Sequence, residues 1–143
     1  MSDLHCPATL LLTDLDEQTS GLAGALRGAR VAAVYASDAA ADRAGSIAAE
    51  LGVRSTIVAG LEAAGERFAE ALQGIADAHR GETVLVSTDA AVVGREVPRL
   101  AFNVPTDFAA GRPAEGRLVE VACDADGWVL RSWGDERLDQ RTP

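Results

Sequence analysis

The sequence predicts one α/β domain, a three-layer αβα sandwich whose central sheet is mostly parallel and ends in an antiparallel hairpin. Three observations carry this prediction. Short, continuous apolar runs at Ala8–Thr13 (ATLLLT), Val31–Ala36 (VAAVYA) and Thr83–Ser87 (TVLVS) have the character of strands buried on both faces. Segments with helical spacing separate these runs, and strand–helix alternation implies parallel strands with helices on both sides of the sheet. Near the end, two runs of alternating polarity flank an Asp-Gly turn, the signal of a hairpin.

Taken in order, the first strand leads into a helix marked by Leu22, Ala25 and Leu26, with Gly28 placed to take the left-handed position at its end. Ile47, Ala48 and Leu51 mark a second helix stopped by Gly52, and Ser55 to Ala59 (STIVA) reads as a weaker fourth strand. Leu61, Ala64, Phe68, Leu72 and Ile75 mark a third helix, with Gly81 beyond it. The run after Asp89 starts a further helix, in which Pro98 lacks a backbone donor and clashes with the preceding turn, so a kink or break is expected there. Residues 103–116, rich in Pro, Gly and Ala, read as a loop. Arg117 to Cys123 and Trp128 to Trp133 then form the hairpin around Asp124-Ala125-Asp126-Gly127. Residues 1–134 are expected to make one domain and residues 135–143 a polar tail.

Composition narrows the function. A chain of 143 residues with a net charge of −9 repels nucleic-acid phosphates and anionic membranes, so neither is an expected partner. The partner classes left are another protein or a small ligand, and a second copy of the chain docking through an apolar helix face. Cys6 and Cys123 have no CxxC spacing and read as free thiols, which makes the cytoplasm the expected compartment. The opening residues carry Asp3 and only a short apolar run, unlike a secretory leader, and no segment is apolar for long enough to span a bilayer. No cofactor is implied.

In a parallel α/β sheet, ligands bind beyond the carboxyl ends of the strands. Here those ends carry three hydroxyl–aspartate pairs: Thr13-Asp14, Ser37-Asp38 and Thr88-Asp89. Each pair suits the N-cap of a following helix. Alternatively, the carboxylates converge into an acidic pocket for a divalent cation or a cationic ligand. Arg43 stands in the first turns of its helix, within reach of the same pocket. His5 precedes the first strand and His79 ends a helix, where capping or solvation is expected; Tyr35, Trp128 and Trp133 read as packing residues.

Two resemblances sharpen this picture. The run LLLTDLD, with Asp14 and Asp16 separated by one residue, resembles the opening of haloacid-dehalogenase-like phosphatases, although Glu17-Gln18-Thr19 departs from their pattern and the chain has no Lys. A longer likeness covers most of the chain. Asp16 to Gly52, with its VYAS strand end, and Gly65 to Leu100, with its Gly-Glu-x-Phe helix and GETVLV strand, resemble the histidine phosphatase superfamily, the phosphoglycerate-mutase-like fold. That resemblance implies a nucleophilic His in Arg-His-Gly after the first strand, where this chain has Thr13, Asp14, Leu15 and Asp16. The arginine expected after Tyr35-Ala36-Ser37 falls on Ala41, and the second His, expected in Ser-His-Gly-Gly, falls on Asp89. The segment that carries a catalytic glutamate in that family is shortened, and nothing but proximity connects Glu62 with the role.

Phosphoryl transfer by that route needs a His nucleophile and donors for charge spread over three oxygens. The expectation is therefore a catalytically inactive histidine-phosphatase-like protein with a binding or regulatory role, without catalytic or metal-ligating residues. Its pocket candidates are Asp14, Asp16, Ser37, Arg43, Thr88 and Asp89. The alternative is an enzyme that keeps the cleft for different, metal-assisted chemistry using Asp14, Asp16 and Asp89.

Overall fold

The computed structural model describes residues 6–14, 26, 28–134 and 136–138; most of the expected first helix, and Asp16, lie outside them. Among the described residues a seven-stranded sheet runs β1 (Ala8–Thr13), β2 (Val31–Ala36), β3 (Ser55–Ile57), β4 (Thr83–Ser87), β5 (Val119–Asp124), β6 (Gly127–Trp133) and β7 (Glu136–Arg137), in the spatial order β3-β2-β4-β1-β5-β6-β7. The three apolar runs are its centre. β1 to β4 pair in parallel, whereas β5, β6 and β7 add antiparallel. A 3₁₀ turn (Asp38–Ala40) leads into α1 (Ala41–Leu51), and α2 (Glu66–Ala78) and α3 (Ala90–Leu100) complete the described helices.

The unbroken apolar character of β1 follows from burial on both sides. Leu10 and Leu12, with Val84 and Val86 of β4, face Phe68, Leu72, Val93 and Val97 of α2 and α3. Leu11 and Leu85 face the other way, with Leu26 and the small Ala44 and Ala48 of α1. Alanine at those two positions lets α1 lie close on the sheet, so this layer is thin and built with hardly any aromatic volume.

Four expectations are corrected. Leu26, Gly28 and Ala29 are helical, so the left-handed residue after them is Arg30 (φ 57) rather than Gly28, at a cost of about 1–2 kcal/mol. β3 stops at Ile57, short of Ala59, and is an exposed edge strand. Pro98 does not break α3: the helix continues to Leu100 and ends only where Ala101 turns extended, so Pro98 forfeits a single bond close to the terminus. Finally, α2 opens only at Glu66, so Leu61 and Ala64 precede the helix they were expected to mark; beyond the hairpin, Glu136 and Arg137 pair with Trp133 and Ser132 as the last strand.

One buried ionic contact ties α3 to α2. Glu96 is 3% exposed, and its Oε1 accepts a 3.0 Å bond from the amide of Gly65, the residue that opens α2, while Oε2 accepts from Arg95 Nε at 2.6 Å and lies 3.9 Å from Arg99 Nη1. Burial pushes this carboxyl up, but the bonds from Arg95 and Gly65 and the charges of Arg95 and Arg99 outweigh it and hold the group below its ordinary range. A carboxyl depressed in the folded state stabilises fully above its unfolded value, and that stability drains away as the pH falls through the folded value. Glu96→Ala is expected to cost about 1.5–3 kcal/mol in urea denaturation at neutral pH. Glu96→Gln, which retains an acceptor for Gly65, is expected to lose less and to flatten the acid limb of the stability profile.

Candidate functional site

The strands position the site through their shared exits. Thr13 pairs with Ser87, and the register continues past both strand ends in a 3.1 Å bond from the Thr88 amide to the Thr13 carbonyl; on the other side the Ser37 amide donates to the Ser87 carbonyl at 3.0 Å. The residues that follow β1, β2 and β4 therefore leave the sheet side by side. They open on a cleft of about 400 Å³ lined by Asp14, Ser37, Arg43, Glu62, Asp89 and Glu115, together with Thr88 and the first turn of α3.

Of the candidates from sequence, Asp14, Ser37, Arg43, Thr88 and Asp89 all line this cleft, and Asp38, exposed at the head of the 3₁₀ turn, does not. The two aspartates are anchored to the backbone. Asp14 Oδ1 accepts from the Gly116 amide at 3.2 Å, a contact made possible because β5 runs antiparallel to β1 and so begins beside the end of β1. Asp89 is the N-cap of α3: extended at φ −61 and ψ 135, it accepts from the Ala91 amide at 2.7 Å, and its carbonyl takes the amides of Val92 and Val93. A carboxylate of the chain itself thus occupies a helix N-terminus, where orphan donors and the helix dipole favour an anion.

Thr88 has a structural use. It is 1% exposed and its hydroxyl donates to the Leu61 carbonyl at 2.7 Å, which holds the turn carrying Glu62 against the cleft. Ser37 is 2% exposed and makes no side-chain cap to the 3₁₀ turn. Beside it, the Ser87 hydroxyl is buried and has no partner among the described residues, a desolvation cost of about 1–3 kcal/mol. Glu62 had only proximity to recommend it, and Glu115 had no signal at all, because it lies in the irregular loop before β5 and reaches the cleft only through the sheet's topology.

Among the described residues the cleft sets four carboxylates, Asp14, Glu62, Asp89 and Glu115, against one guanidinium, Arg43. Like charges about 4 Å apart at an effective dielectric of about 20 repel by about 4 kcal/mol, so this lining favours cationic groups over phosphate. Among the described residues no group of three or more His, Cys, Asp or Glu side chains is disposed to hold a metal ion.

His79 meets half of its expectation. It takes the C-cap of α2, but its side chain is only 14% exposed and is held from both sides, with Nε2 2.6 Å from the Tyr35 hydroxyl and Nδ1 2.7 Å from Glu82 Oε1. Burial, then the Glu82 charge, raise the Tyr35 phenol above its ordinary value against the opposing charge of Arg54. This chain of bonds lies outside the cleft lining and leaves His79 no role there.

No protein-family model and no curated protein sequence matches the chain. Solved structures do. A phosphoglycerate mutase from Plasmodium falciparum superposes with a TM-score of 0.64 at 16% identity, covering 94% of this chain and 94% of its own. A mycobacterial glucosyl-3-phosphoglycerate phosphatase, solved in complex with VO3, superposes with a TM-score of 0.64 at 12% identity, covering 90% of this chain and 99% of its own. The strand order, the helices on both faces and these superpositions together show that the chain has a phosphoglycerate-mutase-like fold.

Proposed function

We propose that this protein is a catalytically inactive histidine-phosphatase-like protein with a binding or regulatory role, whose cleft receives a cationic group of a ligand or partner rather than a phosphate. The observation that carries this reading is the Asp89 carboxylate on the first turn of α3, at the position where the resemblance calls for the second histidine. Asp14, beyond β1, stands beside the place of the nucleophile and is likewise bound to a backbone amide. Neither carboxylate attacks phosphorus through nitrogen, and neither stabilises the negative charge of a transferring phosphoryl group. His79, engaged with Tyr35 and Glu82, supplies no substitute.

Metal-assisted chemistry in the same cleft is the competing reading. Asp14 and Asp89 each spend an oxygen on an amide, and the described residues provide no third ligand grouped with them.

Three measurements test the proposal. Hydrolysis of p-nitrophenyl phosphate is expected to stay at the buffer rate, and turnover that disappears in Asp89→Ala would overturn the inactive reading. Vanadate is expected not to bind in calorimetric titration, whereas saturable Mn²⁺ binding lost in Asp14→Asn would favour the metal-assisted alternative. Asp89→Ala is also expected to lower stability by about 0.5–2 kcal/mol, through loss of the α3 cap.

A further inference from the structure

A second cavity, of about 270 Å³, lies between the loop before β5 and the end of β6, lined by Gly111, Arg112, Pro113, Arg117, Trp133 and Glu136. Its electrostatics are opposite to those of the cleft. Two arginines meet one carboxylate there, in a chain whose net charge is −9.

The two arginines are used differently. Arg112 is committed to the fold: Nε and Nη2 reach the two carboxylate oxygens of Glu136 at 2.9 and 3.4 Å, Nη1 donates to the Phe108 carbonyl at 3.0 Å, and the guanidinium sits 4.2 Å from the centre of the Phe108 ring. Its charge is offset where it stands. The Trp133 indole N–H donates to the carbonyls of Arg112 and Pro113 at 3.2 and 3.3 Å, which fixes the loop to the end of β6.

Arg117 has no such offset: among the described residues its guanidinium has neither an ion-pair nor a hydrogen-bond partner. It is nevertheless held in place. A Cβ on Gly134 would fall 3.1 Å from Arg117 Nη1 and 3.2 Å from its Cδ, so the side chain lies directly over the Gly134 backbone, which is left-handed at φ 62 and bonded to the Leu118 carbonyl. A long side chain free in solvent loses rotamer entropy when a ligand fixes it, and packing along a glycine removes part of that cost before any ligand arrives.

We propose that this cavity binds a small oxyanion, a carboxylate or a phosphate group, with Arg117 as its charge partner and the Arg112–Trp133 assembly as a rigid wall. A planar guanidinium offers two parallel donors to such a group, and a cavity below the usual size of ligand pockets suits one functional group rather than a large molecule. The site is separate from the acidic cleft and stands whether or not the proposed function of that cleft holds.

The test is a titration of the full chain with sodium acetate and, separately, with inorganic phosphate at constant ionic strength, with chloride as the reference anion, followed by NMR signals of the Trp133 indole N–H and the Gly134 amide. Saturable shifts with at least one of the two anions are expected, and which anion produces them assigns the ligand class. Affinity is expected to fall at least tenfold in Arg117→Ala, to fall less in Arg117→Lys, which keeps the charge without the fork, and to be unchanged in Asp89→Ala. A response that is linear and equal to that of chloride overturns the proposal. So does saturable binding that survives Arg117→Ala, or that is lost in Asp89→Ala instead.

Discussion

The site depends on the pairing of β1 with β4, continued beyond the strands by the bond from the Thr88 amide to the Thr13 carbonyl. Because side chains alternate along a strand, a slip of one residue would turn Leu10 and Leu12 from the α2–α3 layer into the thin α1 layer, where Leu11 packs against Ala44 and Ala48. Burial on both faces therefore fixes the register, and the register fixes the line along which Thr13, Ser37 and Ser87 end their strands. Asp14 and Asp89 flank one cleft because the hydrophobic core allows no other alignment.

The walls of the cleft are held by bonds from the strand–helix unit of β4 and α3 and from the end of β1. Thr88 binds the Leu61 carbonyl and Glu96 binds the Gly65 amide, so the short segment between them, with Glu62, is pinned at both ends to the strand–helix unit that carries Asp89. On the far side, Asp14 holds Gly116 and, next to it, Glu115. This construction explains why a hydroxyl and an aspartate recur together at the strand ends. At β4 the hydroxyl positions a neighbouring loop and the carboxylate caps a helix, two local tasks that bring an acidic group to the opening.

Much of this was legible in the sequence. Three unbroken apolar runs announced strands buried on both faces, and Asp124 to Gly127 announced the hairpin, in which Asp124 Oδ1 does accept from the Asp126 amide at 2.8 Å. The acidic character of the strand ends was legible too, because parallel strands of one sheet share an edge. Hidden from sequence were contacts set by the order of strands rather than by their pattern. Glu115 and Gly116 meet Asp14 only because β5 lies antiparallel against β1. His79 looked like a solvated cap because nothing local shows that Tyr35, on a strand two places earlier in the chain, reaches its ring. Pro98 misled for another reason: the loss of its one donor does not stop α3, which runs on to Leu100.

The acidity of the cleft is not a surface property that one substitution would reverse. A helix N-terminus presents N–H groups with a partial positive charge of about half a unit, and the Asp89 carboxylate answers both the hydrogen-bonding and the electrostatic demand. An imidazole at position 89 would place a group that is neutral at best before the same donors, leaving the Ala91 amide to find water or an external anion. At position 14 the Gly116 amide makes the same demand on β1's exit. A phosphate brought to either amide would still face the carboxylates of the cleft lining, each of which opposes it by about 4 kcal/mol at about 4 Å and an effective dielectric of about 20. The backbone donors and the acidic side chains are thus mutually consistent: Asp89 and Asp14 answer the amides of Ala91 and Gly116 from within the chain.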